Sequence, residues 1–92
     1  MKETALNIEN IPAILCGEKT DKVYIFVHSK MSSKEEARDF AIIATQRSYQ
    51  VLSFDLPEHG DRKNENYPCV VWNAVSDLGI IGRYVRQKWS YI

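Results

Sequence analysis

The chain contains little cysteine, no long apolar run and no excess of charge of either sign. Its two cysteines, Cys16 and Cys69, are too few for a disulfide framework and favour the reduced thiols of a cytoplasmic protein. No apolar run approaches the roughly 20 residues that span a bilayer, and the first residues lack the apolar core of a secretory signal. Twelve basic residues balance twelve acidic ones, which argues against binding to nucleic acid or to a membrane surface.

Patterns that signal a cofactor or a metal are also missing. None of the four glycines belongs to a Gly-rich phosphate loop after a strand, which argues against a nucleotide-binding or flavin-binding domain. Cys16, His28, His59 and Cys69 lack the spacing of metal ligands. We therefore expect neither a cofactor nor a metal site.

The first part of the chain predicts two strands. Residues 3–8 alternate polar and apolar side chains, and residues 11–16 are mostly apolar. The pair Glu9-Asn10 between them fits a tight hairpin turn. Pro12 cannot donate a hydrogen bond to a strand ladder, so it should lie near a strand start or at an edge.

A strand and a helix should follow. Residues 23–27 are five consecutive β-forming residues without alternation, which is typical of a strand buried on both faces. Two Ser-x-x-Glu capping patterns after Met31 predict the start of a helix. Its apolar residues recur at helical spacing before the helix frays near Ser48; they are Ala37, Phe40, Ala41 and Ala44.

A second strand and helix complete the pattern. Residues 51–54 predict a strand, residues 57–68 a long polar loop and residues 70–89 a helix. The helix carries one apolar stripe, formed by Val71, Ala74, Val75, Leu78, Ile81, Tyr84 and Val85. We interpret its two glycines as points of close packing on the sheet, and residues 90–92 as the start of another strand. The order of elements predicts a single three-layer α/β domain over residues 1–92, with an antiparallel N-terminal hairpin, parallel strands and two helices.

Two strand ends carry motifs that resemble a known family. The segment His28-Ser29-Lys30-Met31 is similar to the His-Gly-x-x oxyanion motif of the α/β-hydrolase family. The segment Asp55-Leu-Pro-Glu-His-Gly60 is similar to the Asp-x-x-Gly-His-Gly loop of that family. With this order and spacing, the chain resembles the N-terminal part of an α/β-hydrolase over essentially its whole length. The resemblance implies a partial hydrolase sheet in which the strand at 23–28 lies between the strand at 50–55 and the nucleophile strand.

The resemblance also implies a site and an activity. The family hydrolyses esters, thioesters or amides, and the backbone N–H of Lys30 would donate to the oxyanion. Ser29 is the other oxyanion-hole candidate of this turn; the family usually has glycine at this position, so the backbone geometry of the turn does not follow from the resemblance. The residues expected to line the pocket are His28, Met31, Asp55 and His59.

The nucleophile itself is missing from the pattern. No glycine opens a Gly-x-Ser-x-Gly turn, so a complete Ser–His–acid triad cannot be placed on this sequence. We therefore expect a truncated domain that is inactive alone and binds a small-molecule substrate only with the rest of a hydrolase. The alternative is a non-catalytic α/β module. In that case the strand at 23–28 is an exposed apolar edge, which should pair with a second copy to give a homo-oligomer.

Several of these residues also have structural interpretations. His28 could simply hydrogen-bond the neighbouring backbone, and His59 could shape its own loop. Asp55 could bind loop amides or pair with Arg62, which we favour over a catalytic role. A thiol–imidazole pair between Cys69 and His59 is the weaker alternative, because a lone loop cysteine is usually unreactive.

Overall fold

Six regular elements and two short 3-10 turns follow one another in the computed structural model, which describes residues 1–89. The strands and helices are β1 (Glu3–Ile8), β2 (Ile11–Cys16), β3 (Val23–Val27), α1 (Arg38–Gln46), β4 (Gln50–Phe54) and α2 (Val71–Lys88). The 3-10 turns are Lys34–Ala37 and Gly60–Arg62. The strands form one mixed sheet in the order β1-β2-β4-β3. The protein is therefore a small mixed α/β domain, and the strand predicted at residues 90–92 lies outside the described residues.

The N-terminal hairpin forms as predicted. β1 and β2 are antiparallel, with Ile8 opposite Ile11 across the turn. The two turn residues, Glu9 and Asn10, have φ values of 48° and 72°. Positive φ at both central residues defines the type I′ turn, whose twist matches that of the flanking strands.

The remaining strands join the hairpin through β4. β4 runs antiparallel to β2 and parallel to β3, and Val27 lies opposite Phe54 in the parallel pair. β3 and β4 are connected through α1, as the strand–helix–strand pattern predicts. Because the parallel strands end side by side, the segments that follow Val27 and Phe54 meet at the same edge of the sheet.

The two helices pack on opposite faces of the sheet. Alternate residues of β4 point to opposite faces, so each face contributes β4 side chains to a separate core cluster. Leu52 and Phe54 belong to a core cluster that includes Ile81 of α2. Val51 belongs to a second cluster with three small residues before and within α1, namely Ala37, Ala41 and Ala44. The small side chains let α1 lie close to the sheet, and the three predicted layers are present.

β3 is more exposed than its composition predicts. Tyr24, Ile25 and Val27 are each more than one third exposed, with Val27 at 48%. Burial of this strand on both faces was therefore the wrong prediction. The physical reason is that β3, among the described residues, pairs only with β4 and forms the edge of the sheet. Phe40 of α1 is also 38% exposed and contacts the ring of Tyr24.

Only the C-terminal half of the predicted α2 stripe packs on the sheet. Ile81 is buried and Tyr84 and Val85 are partly buried, whereas Val71, Val75 and Leu78 are exposed. The interpretation of the two glycines was also wrong. A Cβ added at Gly79 would meet nothing within 4 Å, and one at Gly82 would approach only the side chain of Arg86.

The start of α1 also differs from the prediction. The capping boxes do not form, because residues 34–37 adopt a 3-10 turn before the α-helix begins. The Ser33 hydroxyl donates instead to Glu35, and Glu36 is turned back towards Ser29. The shorter turn brings this glutamate next to the bend that follows β3.

Candidate functional site

A cleft of about 1120 Å³ lies where β3 and β4 end. Its walls come from the bend after β3 and the loop after β4; they consist of Lys30, Met31, Ser32, Ser33, Glu35, Leu56, Glu58, His59, Gly60, Asp61, Lys63 and Cys69. The carboxyl ends of parallel strands are where open α/β sheets commonly bind their ligands. The cleft is therefore the first candidate for a functional site.

Three consecutive backbone amides in the bend after β3 differ in their partners. The Ser29 N–H donates to Glu36 Oε1 at 3.0 Å, and the Met31 N–H donates to His59 Nε2 at 3.2 Å. The Lys30 N–H between them donates to no atom within residues 1–89, and Lys30 lies on the cleft wall. An amide held between two anchored neighbours is a preorganised donor for a ligand oxygen.

The backbone of this bend does not require glycine at position 29. The residue with left-handed backbone here is Met31, with φ of 69°, rather than Ser29. The Ser29 hydroxyl adds a contact that glycine could not make, because it donates to Glu36 Oε1 at 2.7 Å. Hydrogen bonds from the Ser29 hydroxyl and amide, and from Ser32, lower the pKa of Glu36. The serine thus adds a bond that fixes the bend.

Each histidine accepts a backbone N–H from the other segment, so the two rings together link the bend after β3 to the loop after β4. His28 follows β3, and its Nε2 accepts the N–H of Leu56 at 3.0 Å, while its Nδ1 lies 2.8 Å from the Ser29 carbonyl oxygen. His59 belongs to the loop after β4 and accepts the Met31 N–H, while its Nδ1 lies 2.9 Å from the Pro57 carbonyl oxygen. Neutral rings protonated on Nδ1 satisfy all four contacts.

The same contacts determine what these imidazoles can do. The sequence has only these two histidines, and the Nε2 lone pair of each accepts a backbone N–H. Neither ring therefore offers a free basic nitrogen to the cleft. The backbone interpretation of His28 and the loop-shaping interpretation of His59 agree with this geometry.

A buried ion pair lies behind the cleft. The backbone N–H of Lys34 donates to Asp55 Oδ1 at 2.9 Å, and Lys34 Nζ donates to Asp55 Oδ2 at 2.9 Å. Nζ also donates to Asp61 at 2.9 Å, and the Asp61 N–H donates back to Asp55 at 3.0 Å. Asp55 is fully buried. The expected binding of a loop amide by Asp55 is confirmed at Asp61. The alternative, an ion pair between Asp55 and Arg62, does not form within residues 1–89: the carboxylate pairs with Lys34, and Arg62 reaches Asp55 at its carbonyl oxygen.

Both members of this pair remain charged. Burial alone would raise the pKa of Asp55, but hydrogen bonds from the Lys34 side chain and from the Lys34 and Asp61 amides outweigh it and lower the pKa. Burial alone would lower the pKa of Lys34, but its hydrogen bonds with Asp55 and Asp61 outweigh this and raise the pKa. The carboxylate and the ammonium therefore form a fixed charged link between the two walls.

Gly60 is required by this link. Its φ is 55°, and a Cβ at this position would fall on the Asp55 carboxylate. The backbone of the loop can approach the buried carboxylate only without a side chain.

A second buried ion pair joins the loop to α2. Arg62 donates to Asp77 of α2 and to the carbonyl oxygen of Asp55 at 3.1 Å. Tyr67 donates to Asp77 at 3.2 Å, and its ring lies 5.3 Å from the Arg62 guanidinium carbon. Burial opposes the charge of Arg62, but the hydrogen bonds with Asp77 and Glu65 raise its pKa. This cluster holds the exposed half of α2 without an apolar core.

The predicted site residues divide into two groups. Those that line the cleft are Lys30, Met31 and His59. Ser29 lies in the same bend, but its hydroxyl contacts Glu36. His28 and Asp55 are buried and are not among the lining residues; they connect the two walls from behind.

Sequence reasoning missed Glu36, Lys34 and Asp77. One signal for Lys34 was available, because the helical spacing of Ala37, Ala41 and Ala44 extends backwards to position 34 on the same face. A lysine on the sheet-facing side needs a buried acidic partner, and Asp55 at a strand end was the nearest candidate in the predicted topology. The roles of Glu36 and Asp77 had no comparable signal.

The two cysteines differ in their surroundings. Cys16 is buried in the core, which raises the pKa of its thiol. Cys69 is exposed on the cleft wall, but the lone pair of His59 is already engaged by Met31, which leaves no base for a thiol–imidazole pair. Within residues 1–89, no group of three or more His, Cys, Asp or Glu side chains could hold a metal ion.

The fold and the cleft define a class, a small mixed α/β domain with a candidate ligand site at the carboxyl ends of two parallel strands. Comparisons of the chain with models of known protein families, with curated proteins and with solved structures found no match. No helix in the described part of the chain is long and apolar enough to cross a membrane.

Proposed function

We propose that this chain supplies the oxyanion-hole side of a serine hydrolase of the α/β-hydrolase family, acting on an ester, thioester or amide of a small molecule. The observation that carries the proposal is the Lys30 N–H. Lys30 lies on the cleft wall, and its N–H has no protein acceptor among residues 1–89, whereas the amides on either side of it are both anchored.

The position of β3 supports the proposal. β3 pairs in parallel with β4, and its other edge is unpaired among the described residues. In the family, that second edge is where the nucleophile strand lies. A serine placed after such a strand would face the cleft at the carboxyl end of β3.

The chemistry assigned to the chain is electrostatic. When a serine oxygen adds to a substrate carbonyl carbon, the C=O bond becomes a C–O⁻ group, and the Lys30 N–H donates to that oxygen. The nucleophile, the acid and the catalytic histidine would come from residues outside this sequence. His28 and His59 are assigned no proton transfer, because their lone pairs already accept backbone N–H groups.

A serine-reactive fluorophosphonate probe tests the proposal. The probe should not label the 92-residue chain alone. It should label the product of the whole reading frame at a serine outside these residues, and labelling should abolish hydrolysis of p-nitrophenyl esters. A reading frame that encodes no such serine, or a product that neither hydrolyses esters nor reacts with the probe, would refute the hydrolase.

A matched pair of variants tests the donor itself. Lys30→Pro removes the N–H, and loss of one oxyanion donor typically lowers kcat about 10²- to 10³-fold. Lys30→Ala keeps the N–H and removes only an exposed side chain, so its kcat should be within about two-fold of the parent. Equal activity of the two variants would remove Lys30 from the mechanism.

The second candidate is a non-catalytic module that self-associates through β3. The observation that favours it is an open strand edge without charge or proline, flanked by the exposed side chains of Tyr24, Ile25 and Val27. Antiparallel pairing of two copies about Ile25 would place Tyr24 opposite Phe26 and Val23 opposite Val27. Light scattering after size-exclusion chromatography should then show a dimer that Ile25→Lys dissociates. A monomer at high concentration would refute this candidate without affecting the first.

A further inference from the structure

We propose that Glu36 and His59 are positioning residues, which hold the bend after β3 from its two sides so that the Lys30 N–H points into the cleft. This inference rests on the proposed hydrolase function, because it assigns a purpose to the donor that the hydrolase would use. It concerns residues for which the motif resemblance implied no such role.

Glu36 fixes the first side of the bend. A single carboxylate oxygen, Oε1, accepts both the N–H of Ser29 at 3.0 Å and its hydroxyl at 2.7 Å. Glu36 is itself held by a short 3-10 turn, whose next residue, Ala37, is fully buried against the sheet. These two hydrogen bonds fix the backbone of Ser29. The Ser29 carbonyl oxygen, which shares a peptide plane with the Lys30 N–H, accepts the Ser32 N–H at 3.2 Å and lies 2.8 Å from His28 Nδ1.

His59 fixes the second side. Its Nε2 accepts the Met31 N–H at 3.2 Å, and its Nδ1 donates to the carbonyl oxygen of Pro57. Pro57 is buried, and Asp55, two residues earlier, belongs to the ion pair behind the cleft. The imidazole therefore joins the bend to a loop that is held by the contacts of the buried Asp55 carboxylate.

The strain at Met31 supports a functional purpose for this arrangement. Its φ of 69° is uncommon for a residue other than glycine, asparagine or aspartate, and its side chain is 87% exposed. Packing of the methionine side chain therefore does not explain the backbone conformation. A strained residue held by its surroundings is typical of a site that presents backbone groups to a ligand.

Nuclear magnetic resonance of the 92-residue chain tests the anchoring without any activity. The amide hydrogens of Ser29 and Met31 should exchange with solvent more slowly than that of Lys30, because only the outer two are bonded. A scalar coupling across the hydrogen bond should connect the Met31 nitrogen to His59 Nε2. Fast exchange at all three amides, with no such coupling, would overturn the inference.

Kinetics of the full reading-frame product test the positioning role. Glu36→Ala and His59→Ala should each lower kcat by about ten-fold or more while KM changes less, since only transition-state binding is affected. Gln at either position keeps an acceptor and should restore most of kcat. Asp39→Ala is the matched control, because Asp39 is an exposed acidic residue nearby on α1 without a side-chain partner among residues 1–89.

The outcomes separate the two proposals. A parent protein that hydrolyses esters, with both alanine variants at parental kcat, would overturn the positioning role and leave the hydrolase standing. A parent protein without hydrolysis would overturn the hydrolase, and the positioning role with it. A selective loss of kcat that glutamine rescues, together with the predicted exchange pattern, would support both.

Discussion

Lys34–Asp55 and Arg62–Asp77, the two buried ion pairs in the described part of the chain, have different structural roles. Asp55 accepts two backbone N–H groups as well as an ammonium, so it fixes the course of the main chain in both cleft walls. Among residues 1–89, Asp77 accepts hydrogen bonds only from side chains, so it fixes a helix against a loop. A carboxylate bound by the backbone shapes a site, whereas one bound by side chains attaches an element to it.

Removal of the Asp55 charge should have the largest effect. Asp55→Asn leaves the Lys34 ammonium buried without its main partner, although Asp61 still binds it, so we expect a loss of about 3 kcal/mol in the free energy of unfolding. Urea denaturation measures this. The double variant Lys34→Met/Asp55→Asn should be less destabilised than the sum of the single variants, because no unpaired charge remains. A loss below about 1 kcal/mol in the single variant would contradict the assigned role.

Lowering the pH should remove part of the stabilisation that the Asp55 charge provides, without a mutation. The folded-state pKa of Asp55 is lowered, so its stabilisation is complete above the unfolded-state pKa of about 3.9 and disappears as the pH falls through the folded value. Urea midpoints should therefore be flat near neutral pH and fall in acid. The fall should be shallower in Asp55→Asn but not absent, since the pKa values of Glu3 and Glu36 are also lowered. An identical fall in parent and variant would mean that Asp55 does not drive it.

Loss of the Asp77 charge should destabilise the protein less than loss of the Asp55 charge, and it should leave the bend after β3 unchanged. Asp77→Asn should cost about 2 kcal/mol, because Arg62 retains Glu65 and the Asp55 carbonyl oxygen as partners. The amide resonances of residues 29–31 should keep their positions in Asp77→Asn and move in Asp55→Asn. Equal perturbation of these amides by both variants would break the distinction between the two pairs.

The smallest expected effects come from alanine substitutions at two glycines, which should change the stability in opposite directions. Gly79 lies in the interior of α2 with nothing within 4 Å of its Cβ position, so Gly79→Ala should stabilise the protein by about 0.5–1 kcal/mol. Gly60→Ala should instead destabilise it, because the methyl group would meet the Asp55 carboxylate. Thermal unfolding of the two variants should show melting temperatures displaced in opposite directions. A stabilising effect at both positions would show that the loop around Asp55 is not tightly fixed.

The sequence patterns predicted the positions of the strands better than the burial and the side-chain partners of their residues. Glu9-Asn10 and the apolar runs located each strand of residues 1–89 within about a residue, because turn chemistry and β propensity are local properties. The exposure of Ile25 could not be read from its own segment, since burial depends on which strands lie beside it. Of the site, the bend and loop were located by their position after two strands. The partners of Lys34 and Glu36 were not, because they depend on a 3-10 turn that the capping pattern did not predict.

The central position of β4 has a consequence for how the protein forms during synthesis. β4 joins the N-terminal hairpin to β3 and contributes to both core clusters, so neither core can close before Phe54 has left the ribosome. Until then only the hairpin of β1 and β2 can form, with marginal stability, and β3 has no strand to pair with. Asp55 follows Phe54 directly in the chain. The residue that organises the cleft therefore becomes available in the same step that completes the four-stranded sheet.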